Sequence, residues 1–176
     1  VLVHSPAVGP GTWVPVARVL HALGHGAVVP DLRHIAGGGP PYWPLVAETV
    51  AEAMGQLDEP GPVVLVAHSN AGLLLPTIAE ASPRPVTAAV YADAAVPARP
   101  GPSAAAPAGM LQTLRAMAGP DGLLPRWTDW WPAEDVAGLV HDTQVRDELV
   151  AEQPRLPLDY YEQLLPVPVS WWSVPT

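Results

Sequence analysis

An unbroken apolar run of five residues, 63–67 (VVLVA), constrains the fold of this chain more than any other segment. A run this short and this apolar is typical of a strand covered on both faces, as in a parallel sheet between helices. Residues 69–72 turn sharply after it, and residues 73–81 then predict an apolar helix with Pro76 in its first turn. The sequence therefore places Ser69 on a tight turn between a buried strand and a helix.

Other apolar runs extend the same pattern along the first half of the chain. Apolar side chains at helical spacing predict helices over residues 13–23 and 45–57. An alternation of strands with helices is typical of a parallel sheet with right-handed crossovers. We therefore predict an α/β fold, a parallel sheet sandwiched by helices, with further strands at residues 1–3, 26–30 and 88–92.

The regular alternation stops near residue 96, and 12 of the 24 prolines of the chain lie in the 80 residues that follow. We expect this half to be an irregular helical cap, inserted after the fourth strand and folded over the sheet. Its predicted helices lie at about residues 110–117, 133–140 and 145–152. The expected organisation is a core at residues 1–97, a cap at 98–170, and the start of a further core segment at 171–176.

Composition argues against several classes of function. All 8 basic residues are arginines, the net charge is −9, and there is no basic cluster, so nucleic acid is not an expected partner. Cysteine is absent, which excludes disulfides, thiolate metal sites and a cysteine nucleophile. No apolar run approaches the length of a membrane span. We expect a small-molecule substrate, no metal, no cofactor, no membrane partner and a cytoplasmic location, and leave the oligomeric state open.

Ser69 is the candidate nucleophile. A serine hydroxyl reacts poorly unless a base removes its proton and N–H groups stabilise the oxyanion. A strand-to-helix turn serves this purpose when small residues lie two positions on either side, and here these are Ala67 and Ala71. Alternatively, Ser69 only caps the helix, as serine commonly does. The apolar strand before it and the apolar helix after it favour the nucleophile, whereas Ser103 lies in an Ala/Pro-rich stretch without such a context.

Four segments resemble motifs of the α/β-hydrolase family, and they follow each other in the order and with the spacing of that family. The resemblance is closest to its small esterase and hydroxynitrile-lyase branch. The resemblance covers residues 1–97 and matches the rest only by position. It implies a nucleophile elbow at Ser69 and hydrolysis of a small, largely uncharged ester through an acyl-enzyme on this serine. The four segments are residues 3–13 (VHSPAVGPGTW), 24–32 (GHGAVVPDL), 63–75 (VVLVAHSNAGLLL) and 90–97 (VYADAAVP).

The resemblance also implies where the oxyanion donors lie. One is the backbone N–H of Asn70, and the other belongs to the position of Pro6. Because proline has no N–H, either Ala7 supplies the second donor, only one backbone donor remains, or the Ser5 hydroxyl takes part. Lyases of this branch have a hydroxyl residue at the position of Ser5. A hydroxynitrile-lyase-like enzyme that uses Ser5 and Ser69 is therefore an alternative function.

The base that should serve Ser69 is the missing part of the pattern. In this family an acid and then a histidine follow the nucleophile. His141, the only later histidine, lies in the irregular half, and Asp93 is a possible acid for which a structural role is favoured. Since both chain ends look cut, we expect the acid and the histidine beyond Thr176. A hydrolase-like ligand-binding protein without catalysis is the remaining alternative.

A pocket is expected between the cap and Ser69. Trp127 and Trp131 are candidates for its apolar wall, because aromatic rings provide large contact areas. Most of the cap tryptophans are expected to pack the cap onto the sheet instead. On the core side, His4, Ser5 and His68 are expected to line the pocket, and His4 is also expected to fix its loop.

Overall fold

The computed structural model describes residues 1–99 and 101–176, and Pro100, within the expected cap, lies outside the described residues. Within these described ranges, three parallel strands form the central sheet, and the middle one pairs with both others. The predicted fold class, a parallel sheet with helices, is confirmed. In sheet order the strands are β1 (Leu2–Val3), β2 (Val63–Ser69) and β3 (Val86–Ala94).

Helices cover both faces of this sheet. α1 (Val14–Ala22) packs in a small apolar cluster with Val66, which belongs to one face of β2. On the other face, α2 (Trp43–Met54) and α3 (Leu75–Ala81) share the main core cluster with Leu65. A 3-10 turn over Asn70–Leu74 precedes α3, whose first turn contains Pro76 as predicted.

Residues 26–30 do not form a strand, contrary to the prediction. Among the described residues, a single backbone hydrogen bond, from the Leu2 N–H to the Val28 carbonyl (2.9 Å), joins this run to β1. Because β1 is only two residues long and Pro30 has no N–H to donate, a ladder does not develop. The run therefore lies beside the sheet as an irregular segment.

The second half of the chain is helical and irregular. Three helices agree with their predicted positions to within two residues, whereas the fourth helix and a short antiparallel strand pair were not predicted. Among the described residues, no helix is both long and apolar enough to cross a bilayer. The helices are α4 (Ala108–Met117), α5 (Ala133–Leu139), α6 (Thr143–Glu152) and α7 (Leu158–Glu162), and the strand pair is β4 (Ser103–Ala104) with β5 (Leu164–Leu165).

Polar contacts hold the second half on the first. The Gly11 N–H donates to the Glu152 carboxylate at the end of α6 (2.8 Å), and the Tyr42 hydroxyl donates to Asp159 of α7 (2.6 Å). At the end of the chain, the Pro175 carbonyl accepts from the Ala89 N–H of β3 (2.8 Å). The two halves also share one apolar cluster. The division into core, cap and terminal segment remains a prediction.

Gly72 permits the close approach of the turn after β2 to the end of β3. A Cβ atom at this position would overlap the Ala95 carbonyl and press against Tyr91 (3.0 Å) and Ala94 (3.1 Å). The obstacle at Ala95 is backbone, which cannot rotate away as a side chain can. Only glycine therefore fits here without moving β3.

We predict that Gly72→Ala lowers the free energy of unfolding by about 1–3 kcal/mol, because overpacking forces the backbone apart. Chemical denaturation followed by tryptophan fluorescence measures the change. The matched control is Gly109→Ala in α4, where a Cβ meets nothing within 4 Å and the stability should be unchanged or slightly raised. Equal effects of the two substitutions would contradict this assignment.

Candidate active site

Ser69 lies on a sharp left-handed turn at the end of β2. Its backbone has φ 55° and ψ −133°, a region that non-glycine residues rarely occupy. The pairing of β2 with β3 is irregular here, so that Asp93, also at positive φ (46°), is left over between the partners of His68 and Ser69. The Ser69 carbonyl accepts from the Ala95 N–H (3.0 Å), which fixes the turn against β3. The predicted turn is therefore present and is strained.

Two cavities meet at Ser69, beneath the second half of the chain. Chamber A, of about 570 Å³, extends from Ser69 past Asn70 to Trp130. Chamber B, of about 360 Å³, extends from Ser69 to the inner face of α6. The residues that line both chambers are Ser5, Ala7, Ser69, Asp93 and Trp127.

The loop after β1 forms the wall opposite Ser69. A β-turn, closed by the Val8 N–H donating to the Ser5 carbonyl (3.0 Å), places Pro6 at its second position, where proline is favoured. The Ala7 N–H donates to the Ser5 hydroxyl over 3.3 Å, beyond the usual range for such a bond. Because Pro6 offers no donor, the Ala7 N–H and the Ser5 hydroxyl are the donors that this loop can present.

The side chain of Asn70 is tied to the second half of the chain. Its Nδ2 donates to the Ala105 carbonyl (2.8 Å), and its Oδ1 accepts from the Tyr160 hydroxyl (2.8 Å). The Tyr160 ring is fully buried and packs edge-on against Tyr42 and Tyr161. These contacts use only the side chain of Asn70 and hold its peptide in place next to Ser69.

His4 is placed behind the loop and lines neither chamber, contrary to the expectation that it lies on the pocket wall. Its Nδ1 donates to the Ser5 carbonyl (2.8 Å), and its Nε2 accepts from the Leu32 N–H (3.1 Å). These partners require the neutral ring with the proton on Nδ1. Burial lowers the pKa of His4, which favours the same neutral form. His4 therefore fixes the loop and has no nitrogen left for Ser69.

His68 lines chamber B, as expected, but is not bonded to Ser69. Its ring meets Trp13 edge-on, with centroids 6.3 Å apart, and its buried Nδ1 has no hydrogen-bond partner among the described residues. Burial lowers the pKa of His68, and the charge of Asp93 acts in the opposite direction. His141 is exposed, bonds to the Ala137 carbonyl (3.1 Å) and lines neither chamber.

Trp127 and Trp130, rather than Trp127 and Trp131, form the aromatic wall of chamber A. Trp127–Trp130 is one 3-10 turn, in which residues three apart lie on the same side. Trp131 leaves this turn, remains 49% exposed and only touches the Trp127 ring, with centroids 6.2 Å apart. The expectation that Trp131 lines the pocket is therefore wrong.

Several lining residues were not predicted. Ser103 and Tyr161 line chamber A, and Arg146 and Gln153 line chamber B. Ser103 is buried, and its hydroxyl accepts from the Ala98 N–H (2.7 Å), which gives it a structural role. Residues 146 and 153 are two helical turns apart, a spacing that already indicates one helix face in the sequence.

Comparison with known proteins assigns the class of this fold. The alpha/beta hydrolase family model matches residues 1–176, and the chain belongs to this family. A solved structure is similar, with a TM-score of 0.70 and 19% identity over 98% of this chain and 72% of the other. It is an extracellular alpha/beta-hydrolase from a Paenibacillus species, described as sharing structural and functional homology with tobacco salicylic acid binding protein 2. No curated protein sequence matches the chain.

The depressed pKa of His4 predicts a pH dependence of stability. Because the unfolded state binds a proton at a higher pH than the folded state, the contribution of His4 is present above the unfolded pKa and is lost as the pH falls below it. The difference in unfolding free energy between the protein and His4→Gln should therefore shrink as the pH falls from 7.5 to 5. Urea denaturation at several pH values measures it.

The control for this experiment is Val16→Ala, at an exposed position where neither side chain titrates. Its difference from the parent protein should therefore stay constant over the same range. A His4→Gln difference that is equally constant would show that the ring does not titrate as its buried contacts require.

Proposed function

We propose that this protein is a serine hydrolase that cleaves a small ester through an acyl-enzyme on Ser69. The observation that carries the proposal is the strained turn at Ser69, located where two chambers meet. Left-handed backbone at a non-glycine residue is costly and concentrates at functional sites. A helix cap, the alternative role of this serine, is not supported, since the Ser69 side chain makes no capping hydrogen bond to the turn that follows it.

In the proposed reaction, the Ser69 Oγ attacks the ester carbonyl carbon and loses its proton to a base. The carbonyl oxygen becomes an oxyanion, stabilised by the Asn70 N–H and by Ala7 or Ser5 on the opposite loop. The bond from carbon to the alcohol oxygen then breaks, and the alcohol leaves with the proton. Water repeats the attack on the acyl-enzyme, which releases the acid and restores the hydroxyl of Ser69.

The base of this reaction is not assigned to a histidine described above. His4 has both nitrogens engaged, His68 faces Trp13, and His141 is outside the chambers. Asp93 lines both chambers and remains a possible acid.

A lyase is the second candidate function, because Ser5 lines both chambers together with Ser69. In this reaction Ser69 passes its own proton to the base and takes the proton of a cyanohydrin hydroxyl, while Ser5 orients the substrate. The carbonyl forms as the bond from carbon to the nitrile breaks, and the cyanide leaves with the proton that the base returns. Cyanohydrin cleavage that is unchanged in Ser5→Ala would count against it. Tight ligand binding without turnover of any ester or cyanohydrin would favour a non-catalytic binding protein instead.

We predict that a fluorophosphonate probe forms a covalent adduct at Ser69, since an activated serine attacks its phosphorus. Peptide mapping by mass spectrometry locates the adduct. Ser69→Ala should abolish labelling, whereas Ser103→Ala, which removes another hydroxyl from the wall of chamber A, should leave it unchanged. Absence of an adduct at Ser69 in the purified protein would contradict the proposal.

We predict that Tyr160→Phe lowers kcat roughly tenfold or more and leaves KM nearly unchanged, because Asn70 loses one of its two side-chain anchors while the chamber keeps its shape. Steady-state kinetics with a chromogenic ester separate the two parameters. Tyr42→Phe is the matched control, as it removes a hydroxyl bonded to Asp159 and not to Asn70. An equal fall of kcat in both variants would assign Tyr160 a merely structural role.

A further inference from the structure

One face of α6 brings polar side chains into chamber B. Arg146 and Leu149 of α6 and Gln153, which directly follows the helix, are spaced by three and four residues, which places them on one side, and all three line the chamber. The rest of the wall includes apolar side chains such as Val136, and its other polar side chains are those of Ser5, Thr12, His68, Ser69, Asp93 and Thr128. Arg146 and Gln153 are therefore the polar groups on the α6 side of the chamber.

Gln153 is buried, and its orientation is fixed by its partners. It is only 5% exposed, and its Oε1 accepts from both the backbone N–H and the hydroxyl of Thr128 (3.1 Å each). Because a backbone N–H can only donate, the atom that faces it must be the amide oxygen. The Nε2 is thus the free end, and it donates to no residue that the structure describes. Chamber B is therefore lined by a buried glutamine whose amide N–H groups have no acceptor among the described residues.

Arg146 contributes a positive charge to the same chamber. It donates to the Val140 carbonyl (2.7 Å) and to the Thr143 hydroxyl (3.4 Å), and it belongs to none of the ion pairs of the described residues. The nearby Glu152 carboxylate is directed elsewhere, to the Gly11 N–H. Asp93 lines both chambers, next to Ser69, so the negative charge lies where the chambers meet and the positive charge on α6.

We propose that chamber B binds a carboxylate group of the substrate, which rests on the proposed ester hydrolysis at Ser69. The ligand is then a small ester whose far end carries a carboxylate, with the apolar remainder in chamber A. A carboxylate accepts the N–H groups of Gln153 and offsets the charge of Arg146, and charge-assisted bonds of this kind are about twice as strong as neutral ones. This assignment replaces the expectation of a largely uncharged substrate.

Binding measurements on the Ser69→Ala protein test the assignment without relying on turnover. The probes are phenylacetate, ionised at pH 7, and phenylacetamide, its neutral counterpart of the same shape, measured by calorimetry. We expect phenylacetate to bind at least about tenfold more tightly, and this preference to fall with added salt. Equal affinity of the two probes would overturn the proposal.

Two substitutions locate the preference. Gln153→Glu keeps the oxygen that Thr128 requires and replaces the donor by a negative oxygen, and Arg146→Met removes the charge but keeps much of the length. Each should abolish the preference for phenylacetate and leave phenylacetamide binding within about twofold. The control is Arg126→Met, which removes an exposed arginine of the second half that lines neither chamber.

If Arg126→Met lost the preference for phenylacetate to a similar extent, the preference would come from the overall charge of the protein, and the proposal would be overturned. The outcomes also separate it from the proposed function. If phenylacetate is preferred but no adduct forms at Ser69, carboxylate binding in chamber B is supported and ester hydrolysis is contradicted. If an adduct forms at Ser69 but phenylacetate is not preferred, ester hydrolysis is supported and the carboxylate site is contradicted.

Discussion

The close approach of two backbone segments, the turn after β2 and the end of β3, holds the site in its shape. Gly72 leaves room for the Ala95 carbonyl, and the Ala95 N–H in turn donates to the carbonyl of Ser69 (3.0 Å). Within this contact both Ser69 and Asp93 adopt positive φ. The surrounding sheet and helix stabilise a conformation that neither residue prefers alone. The direction of the Ser69 side chain toward both chambers follows from this contact.

The second half of the chain acts on the site through few polar contacts. Tyr160 and the Ala105 carbonyl hold the side chain of Asn70 from one side, and Glu152 holds the loop after β1 from the other. Both proposed sources of oxyanion stabilisation are thus fixed by residues more than thirty positions away in the chain. Changes in the second half of the chain are therefore expected to alter the geometry at Ser69 as well as the shape of the chambers.

Local features of the site could be predicted from the sequence. The run at residues 63–67 and the small residues around Ser69 are sufficient to indicate the strand and the turn. Features that depend on contacts between distant segments could not be predicted as well from the sequence. Residues 26–30 have the composition of a strand, but among the described residues only one backbone hydrogen bond joins them to β1, which is two residues long. His4 was expected on the pocket wall because its long-range bond to the Leu32 N–H has no signal in the sequence.

The details of the chambers depend on turns that the sequence pattern did not reveal. Because of the 3-10 turn, Trp130 rather than Trp131 lies in the wall of chamber A. The amide oxygen of Gln153 is held by Thr128, so its amide nitrogen points away from Thr128. Side-chain orientation of this kind is set by tertiary contacts rather than by propensity.

The proposed function depends on acylation of the Ser69 hydroxyl during turnover. This step is measured by rapid mixing of the protein with a chromogenic ester, followed by acid quench, intact-mass analysis and peptide mapping. Acylation predicts a burst of released alcohol of about one equivalent per protein, with the acyl mass on the peptide that contains Ser69. Ester turnover without an acylated intermediate, or with the acyl group on another residue, would contradict it.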